Sequence, residues 1–425
     1  MLSLLLALQI TTAVDTLPRI TLNDALARAT RLDPNYVAAL GQVGTANWGR
    51  RAAMSTFVLP SLTVSLDLTK YSSAFFNIGT GGLQSTSANF QATARYEIFS
   101  VRKFAELSRT RADLEGAVAG TMEARFSAAL LTESDFYDVL ANQDLAGVTD
   151  ERLKRAREAF QVARARVTSG AAVQTDSLQL FLELTRAQVE QLRQASALKV
   201  ARLQLGRRIG ISGPVEAVPL DSVSAAELPI ELTQAVTLAL SQGPQYRVAR
   251  ANEQSARAIL KSRRGEYLPV FTATASHTRF DTRIFPGARN ISSIDFGVSL
   301  PIWDNGQREI AISQARVNRD VAEAIRADLE NAALTDVTQA YEAYNTDRVT
   351  VDLQQTAVLV ARENYRVQEA RYRAGASTII ELLNAQVDLT QAESDLVQAR
   401  FAARLALAGL EAIIGQRLTT DRVLP

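Results

Sequence analysis

Cysteine is absent from the 425 residues, and histidine occurs once, at His277. Without cysteine there is no disulfide framework and no thiol to carry a lipid. With a single imidazole besides, zinc, haem and iron–sulfur sites built from several soft or imidazole ligands are excluded. An excess of either charge is missing too. The 46 Lys and Arg stand against 45 Asp and Glu, a net +1, which leaves no electrostatic footprint for nucleic acid. No stretch supplies the ~18 consecutive apolar residues of a membrane-spanning helix. No G-x-x-x-x-G-K-[ST] and no G-x-S-x-G occurs, so neither a phosphate-cradling loop nor a nucleophile elbow is present. Gly79-Thr80-Gly81-Gly82 stands between two strand patterns and reads as a loop. The expectation is a protein without catalytic residues, cofactor or metal.

Glycine and proline are missing from one long interval, Gln307 to Ala374. At ~1.5 Å per residue this predicts a helix of roughly 100 Å, far longer than compact domains use. The interval ends on Arg371-Tyr372-Arg373-Ala374-Gly375, and glycine is the residue that tolerates the left-handed C-terminal cap. Thr378-Ile379-Ile380-Glu381 has the form of a capping box, so a return helix starts at once. The same turn occurs about 205 residues earlier, where Arg166-Val167-Thr168-Ser169-Gly170 precedes Asp176 as the second turn precedes Glu381.

Other landmarks recur at similar offsets. Leu22 matches Leu232, Pro34 matches Pro244, and Pro60 matches Pro269. Phe99 matches Trp303, and Ile209-Gly210 matches Ile414-Gly415. The chain therefore reads as two copies of one unit of about 200 residues, over 14–211 and 230–415. The linker 212–229 carries Pro214, Pro219 and Pro229, and 416–425 forms a tail. The apolar run Met1–Ile10, followed by Thr11, Thr12 and Ala13, predicts a signal peptide over 1–13.

Each copy opens with a helical pattern; in the first, Thr21 or Asn23 can cap it and Asp33-Pro34 breaks it. The period then changes to two. Leu62, Val64, Leu66 and Leu68 alternate with Thr63, Ser65, Asp67 and Thr69. Phe90, Ala92, Ala94, Tyr96 and Ile98 alternate with polar residues in the same way. The second copy repeats this with Phe271, Ala273 and Ala275, then with Ile294, Phe296, Val298 and Leu300. The predicted strands are about 61–70, 88–98, 270–279 and 292–302. Strands of ~9–11 residues suit a membrane crossing better than the soluble mode of ~5–6. Tyr71 and Phe280 stand at the loop ends and Phe99 and Trp303 at the helix ends, as interfacial girdles do. Lys70 and Arg279 fall on the apolar faces, where long cations can snorkel. A soluble hairpin packed on helices is the other reading of the same alternation.

Asp176 and Glu381 each lie one turn after a tip glycine. They either sit favourably at a helix N-terminus or, if copies converge, form an acidic ring that draws cations. Four strands cannot close a barrel, and an open edge is not viable in lipid. Two chains would supply eight strands and three would supply twelve; the residues do not choose.

With Leu59-Pro60 and Leu268-Pro269 before the strands, Leu300-Pro301-Ile302-Trp303-Asp304-Asn305-Gly306 after them and the two glycine tips, the chain resembles the TolC-type outer-membrane efflux proteins over about residues 20 to 415. The resemblance implies a mainly α fold: long helices forming an α-helical barrel across the periplasm, with β-hairpins closing a twelve-stranded barrel in a homotrimer. It implies residence in the outer membrane of a Gram-negative bacterium, in contact with its lipid and not with nucleic acid. The implied role is a passive exit duct for efflux or type I secretion, docked to a periplasmic adaptor and an inner-membrane RND- or ABC-type pump. The implied aperture residues are Asp176, Gln179, Glu381 and Asn384. The docking tips are Arg166, Gly170, Arg371, Arg373, Gly375 and Ser377. Two positions depart from the family pattern: Ser377 replaces an arginine, and Asn384 replaces an acid. A periplasmic coiled-coil scaffold without a pore is the alternative reading.

Overall fold

The computed structural model describes residues 17–77, 81–219, 227–281 and 289–418. The predicted signal peptide, part of the linker and most of the tail lie outside them. In chain order the elements are β1 (Arg19–Ile20), α1 (Leu22–Leu32), α2 (Pro34–Ser55), β2 (Ser61–Asn77), β3 (Gly82–Phe99), α3 (Val101–Thr168), α4 (Gln174–Arg208) and β4 (Glu216–Ala217). The second copy supplies α5 (Leu232–Gln242), α6 (Pro244–Gly265), β5 (Val270–Asp281), β6 (Arg289–Ser299), α7 (Gln307–Arg373) and α8 (Ile379–Ile414). The chain divides into two compact units, one of residues 1–38, 122–244 and 332–425, the other of 39–121 and 245–331. Each takes residues from both sequence copies.

The second unit holds a four-stranded antiparallel sheet in the order β2-β3-β5-β6. The two copies meet at β3 and β5, paired from Ala88↔Asp281 to Phe99↔Phe271. The pleat puts the apolar sets on one face. Leu66 pairs with Phe90, Ala94 with Ala275, Ala275 with Ile294, and Phe271 with Val298. The other face carries Thr63, Thr93, Ser276 and Ser293 in register. Strand bounds differ from the sequence reading where turn chemistry intervenes. β2 and β3 continue to Asn77↔Gly82 beyond an irregularity between Lys70 and Phe75, because Ser72 to Phe76 tolerates extended backbone although its alternation is broken. Tyr71 therefore lies inside a strand, edge-on to Phe75 at 4.6 Å, and not at a strand end. β6 stops at Ser299, two residues before Pro301, which has no N–H to give a ladder.

In the first unit, α1 is capped by Thr21, whose hydroxyl accepts from the Asp24 N–H at 3.2 Å. Its apolar stripe, Leu22, Ala25, Leu26 and Ala29, packs with Phe136, Tyr137, Leu205, Ile209 and Phe401. Each fully buried Leu or Phe side chain there is worth ~1.5–3 kcal/mol. The first part of the predicted linker is not free. Glu216–Ala217 pairs in parallel with Arg19–Ile20, and Val215 and Ala217 are fully buried in the same core. Apolar side chains between the prolines had a core within reach. Ala235, Ala239, Val337, Leu410 and Ile414 form the corresponding cluster of the second copy. After α8, Gly415 turns left-handed at φ 77°, and Arg417 reaches back to Glu133 and Glu411.

Candidate functional site

The two tip turns have the same construction. In the first, the Ala171 N–H donates to Arg166 O at 2.8 Å and the Gly170 N–H to Val167 O at 3.0 Å. In the second, the Ala376 N–H donates to Arg371 O at 2.8 Å and the Gly375 N–H to Tyr372 O at 3.0 Å. These are paired Schellman motifs, and both glycines sit at φ 76°, a conformation that costs other L-residues ~1–2 kcal/mol. Arg166 and Arg371 then close their own turns, each giving an Nη2–H to the carbonyl five residues on, Ala171 or Ala376, at 3.3 Å.

Arg166 also joins the turns. Its Nη1 donates to Tyr372 O, and its guanidinium lies 4.8 Å from the Tyr372 ring centre. A shared cluster of Ala159, Ala163, Leu180, Tyr365, Tyr372, Ile379, Leu382, Ala385 and Leu389 lies beneath them. Tyr372 is a functional candidate that the sequence reading passed over. It is nearly enclosed, 2% exposed. Burial, and next the Asp176 carboxylate, raise its phenol above the ordinary value against the pull of Arg166. Its place three residues before the tip glycine was the available signal.

The two acids are not equivalent. Glu381 completes the capping box: its N–H donates to Thr378 Oγ1, and its Oε2 accepts from the Thr378 N–H, both at 3.3 Å. Asp176 has no such task, because the cap position before it is Val173, with no side-chain bond. Asp176 is half-buried, while Gln179, Glu381 and Asn384 are exposed. Among the described residues no hydrogen bond or ion pair joins these four to one another. Arg373 is paired with Glu369 at 2.7 Å, and Ser377 is half-buried beside Gly375.

At the sheet, the apolar face is exposed over its whole extent on the edge strands, with Leu62 at 72% and Phe296 at 79%. Phe99 does not stand alone at the helix end. Its ring is 6.0 Å from Phe104 and 6.3 Å from Phe271, and Phe104 is 5.1 Å from Phe57. Beside this cluster Lys103 Nζ donates to Glu97 O at 2.6 Å, 4.7 Å from the Phe57 ring and 4.6 Å from Tyr96. The second copy repeats the device. Arg308 donates to Pro301 O at 2.7 Å and Ile302 O at 3.1 Å, with Tyr267 at 4.6 Å. Phe57 and Tyr267, like Lys103 and Arg308, stand at the repeat offsets, which was the missed signal. Phe280 lies one residue from the end of β5. Trp303 lies past the end of β6 and is 74% exposed.

Known proteins share this construction. The profile of the family described as outer membrane efflux protein matches twice, over residues 21–210 and 235–416. The outer membrane efflux protein BepC of Brucella suis is 26% identical over 291 residues, 68% of this chain. That match spans 63% of the relative's length. The outer membrane protein TolC of Escherichia coli is 23% identical over 377 residues, covering 81% of this chain and 72% of TolC. The crystal structure of the outer membrane protein VceC from Vibrio cholerae superposes with a TM-score of 0.80 at 16% identity, covering 94% of this chain and 97% of VceC. With the profile matched once in each half, the chain belongs to the outer membrane efflux protein family.

Proposed function

We propose that the protein is the outer-membrane exit duct of a tripartite efflux or type I secretion system. Cargo moves through it passively, without catalysis. The observation that carries the reading is the sheet: four antiparallel strands, one apolar face in the open, a polar face behind it, and β2 and β6 at bare edges. Such a sheet is stable in lipid only when its edges are closed, and its polar face then lines a wet lumen. Three copies close twelve strands, the number the family resemblance selects. The tips dock onto a periplasmic adaptor, and an RND- or ABC-type inner-membrane pump supplies the energy. Asp176, Gln179, Glu381 and Asn384 surround the aperture at the tips. The reading is tested by conductance of the purified protein in planar bilayers. A protein that forms no channels under any opening condition would be a scaffold instead.

The aperture makes its own prediction. Asp176→Asn with Glu381→Gln should lower cation selectivity and weaken block by divalent cations while leaving the oligomer intact. Glutamine can still serve the capping box, so helix capping alone predicts no change in selectivity. Reversal potentials in a salt gradient decide it, and an unchanged potential would refute the ring.

A further inference from the structure

We propose that the junction where α6 leads into β5 binds an anionic phospholipid from the leaflet on the helix side of the membrane. The inference rests on the placement of the sheet in the outer membrane. Helix α6 ends Lys261-Ser262-Arg263-Arg264-Gly265. Arg263 is paired with Glu266 at 3.0 Å. Lys261 and Arg264 are exposed, stand three residues apart and so share a helix face. Among the described residues neither has a carboxylate partner.

Three contacts fix where these cations lie. Gly265 is so close to the start of α3 that a Cβ would come within 2.6 Å of Val101 Cγ1 and 3.7 Å of the Arg102 nitrogen. Tyr267, three residues after Arg264, lies against the Arg308 guanidinium. That guanidinium holds the carbonyls of Pro301 and Ile302. Lys261 and Arg264 are thereby brought to the end of the sheet that carries Leu268, Ile302 and Trp303, exposed by 48%, 89% and 74%.

Cations in a last helical turn also complement the carbonyl end of the helix. That accounts for arginines at 263 and 264 but not for the exposed apolar set beside them. The first copy supplies a comparison. At the repeat offset, Arg51 takes the place of Lys261 and is stacked on Trp48 at 4.9 Å; Met54 takes the place of Arg264. At these two positions the second copy has two exposed cations, where the first has one, and that one is stacked on Trp48. A guanidinium and an ammonium offer charge-assisted donors to a phosphodiester. Ile302 and Trp303 offer apolar surface to the acyl chains, and indole favours the headgroup boundary.

Trp303 provides the readout, since Trp48 is the other tryptophan of two. In a Trp48→Phe background reconstituted in vesicles, Trp303 fluorescence is quenched with brominated phosphatidylglycerol or brominated phosphatidylethanolamine at equal mole fraction. The anionic lipid should quench more strongly, with local enrichment of about fivefold per cation at low salt, falling as salt is added. Lys261→Ala with Arg264→Ala should abolish the preference and keep the quenching, whereas Arg51→Ala should leave the preference intact. Equal quenching by the two lipids, or a preference that survives the double substitution, overturns the site. Displacement by soluble glycerol phosphate overturns it in favour of a phosphate site. Absence of quenching by either lipid instead overturns the placement of this junction in the membrane, and with it the proposed function.

Discussion

Arg417→Met should be among the most destabilising single substitutions in the chain. Glu133 and Glu411 have side chains with 0% exposure, and Arg417 retains 12%. The guanidinium reaches Glu133 at 2.6 Å and Glu411 at 2.5 Å, and the Leu418 N–H donates to the second carboxylate at 2.8 Å. Burial pulls the Arg417 pKa down, but the two acids outweigh it and hold the group above its ordinary value. Methionine fills similar space and removes the charge, so two enclosed acids lose their shared cation. Removing one partner of a buried pair costs ~3–5 kcal/mol. Here one residue serves two acids, which places the loss at the upper end. The triple variant Glu133→Gln, Glu411→Gln, Arg417→Met should recover most of it, because no uncompensated charge remains. Arg366→Met is the control: its pair with Glu363 is 71% and 60% exposed, and the midpoint should not move. Urea unfolding followed by circular dichroism measures all three. A single variant within ~1 kcal/mol of the parent, or a triple variant no better than the single, would refute the assignment of this cost to stranded charge.

Two further outcomes follow from the sheet and the helices. Asp at Val64 or Val298, both on the apolar face, should block membrane assembly, since charge at mid-depth costs up to ~2–4 kcal/mol for basic residues and less for acids. Asp at Thr63 or Ser299 should be tolerated, and heat-resistant oligomer on gels separates the sets; equal behaviour would overturn the register. Burial raises the Asp347 carboxyl above its ordinary 3.8, so its ionised form is penalised in the fold. A raised folded-state pKa gives stability that is present at low pH and lost as pH rises through that pKa. Asp347→Asn should therefore stabilise the protein at neutral pH, with an advantage that shrinks toward pH 3.8. A pH-independent difference would show that burial of the charge is not the cause.

The sequence by itself determined the elements that depend on neighbours along the chain. Glycine at Gly170 and Gly375, the capping box at Thr378, and the absence of helix breakers from Gln307 to Ala374 are local facts, and local backbone chemistry suffices to read them. Period-two alternation in both copies was enough to put Val64 and Val298 on one face. Strand ends were less legible: β2 runs on past Tyr71 because its pairing with β3, interrupted after Lys70, resumes at Phe75↔Gln84. Only tertiary structure decided which residues from distant parts of the chain share a site. Glu216–Ala217 became a strand because Arg19–Ile20 and an apolar core were there to receive it. Arg166 became the tie between the tips through a carbonyl and a ring about 206 residues away. Glu381 and Asp176, matched in sequence, took different work, because Thr378 offers the first a cap partner and Val173 offers the second none. Such pairings depend on distances in space, and no periodicity along the chain encodes them.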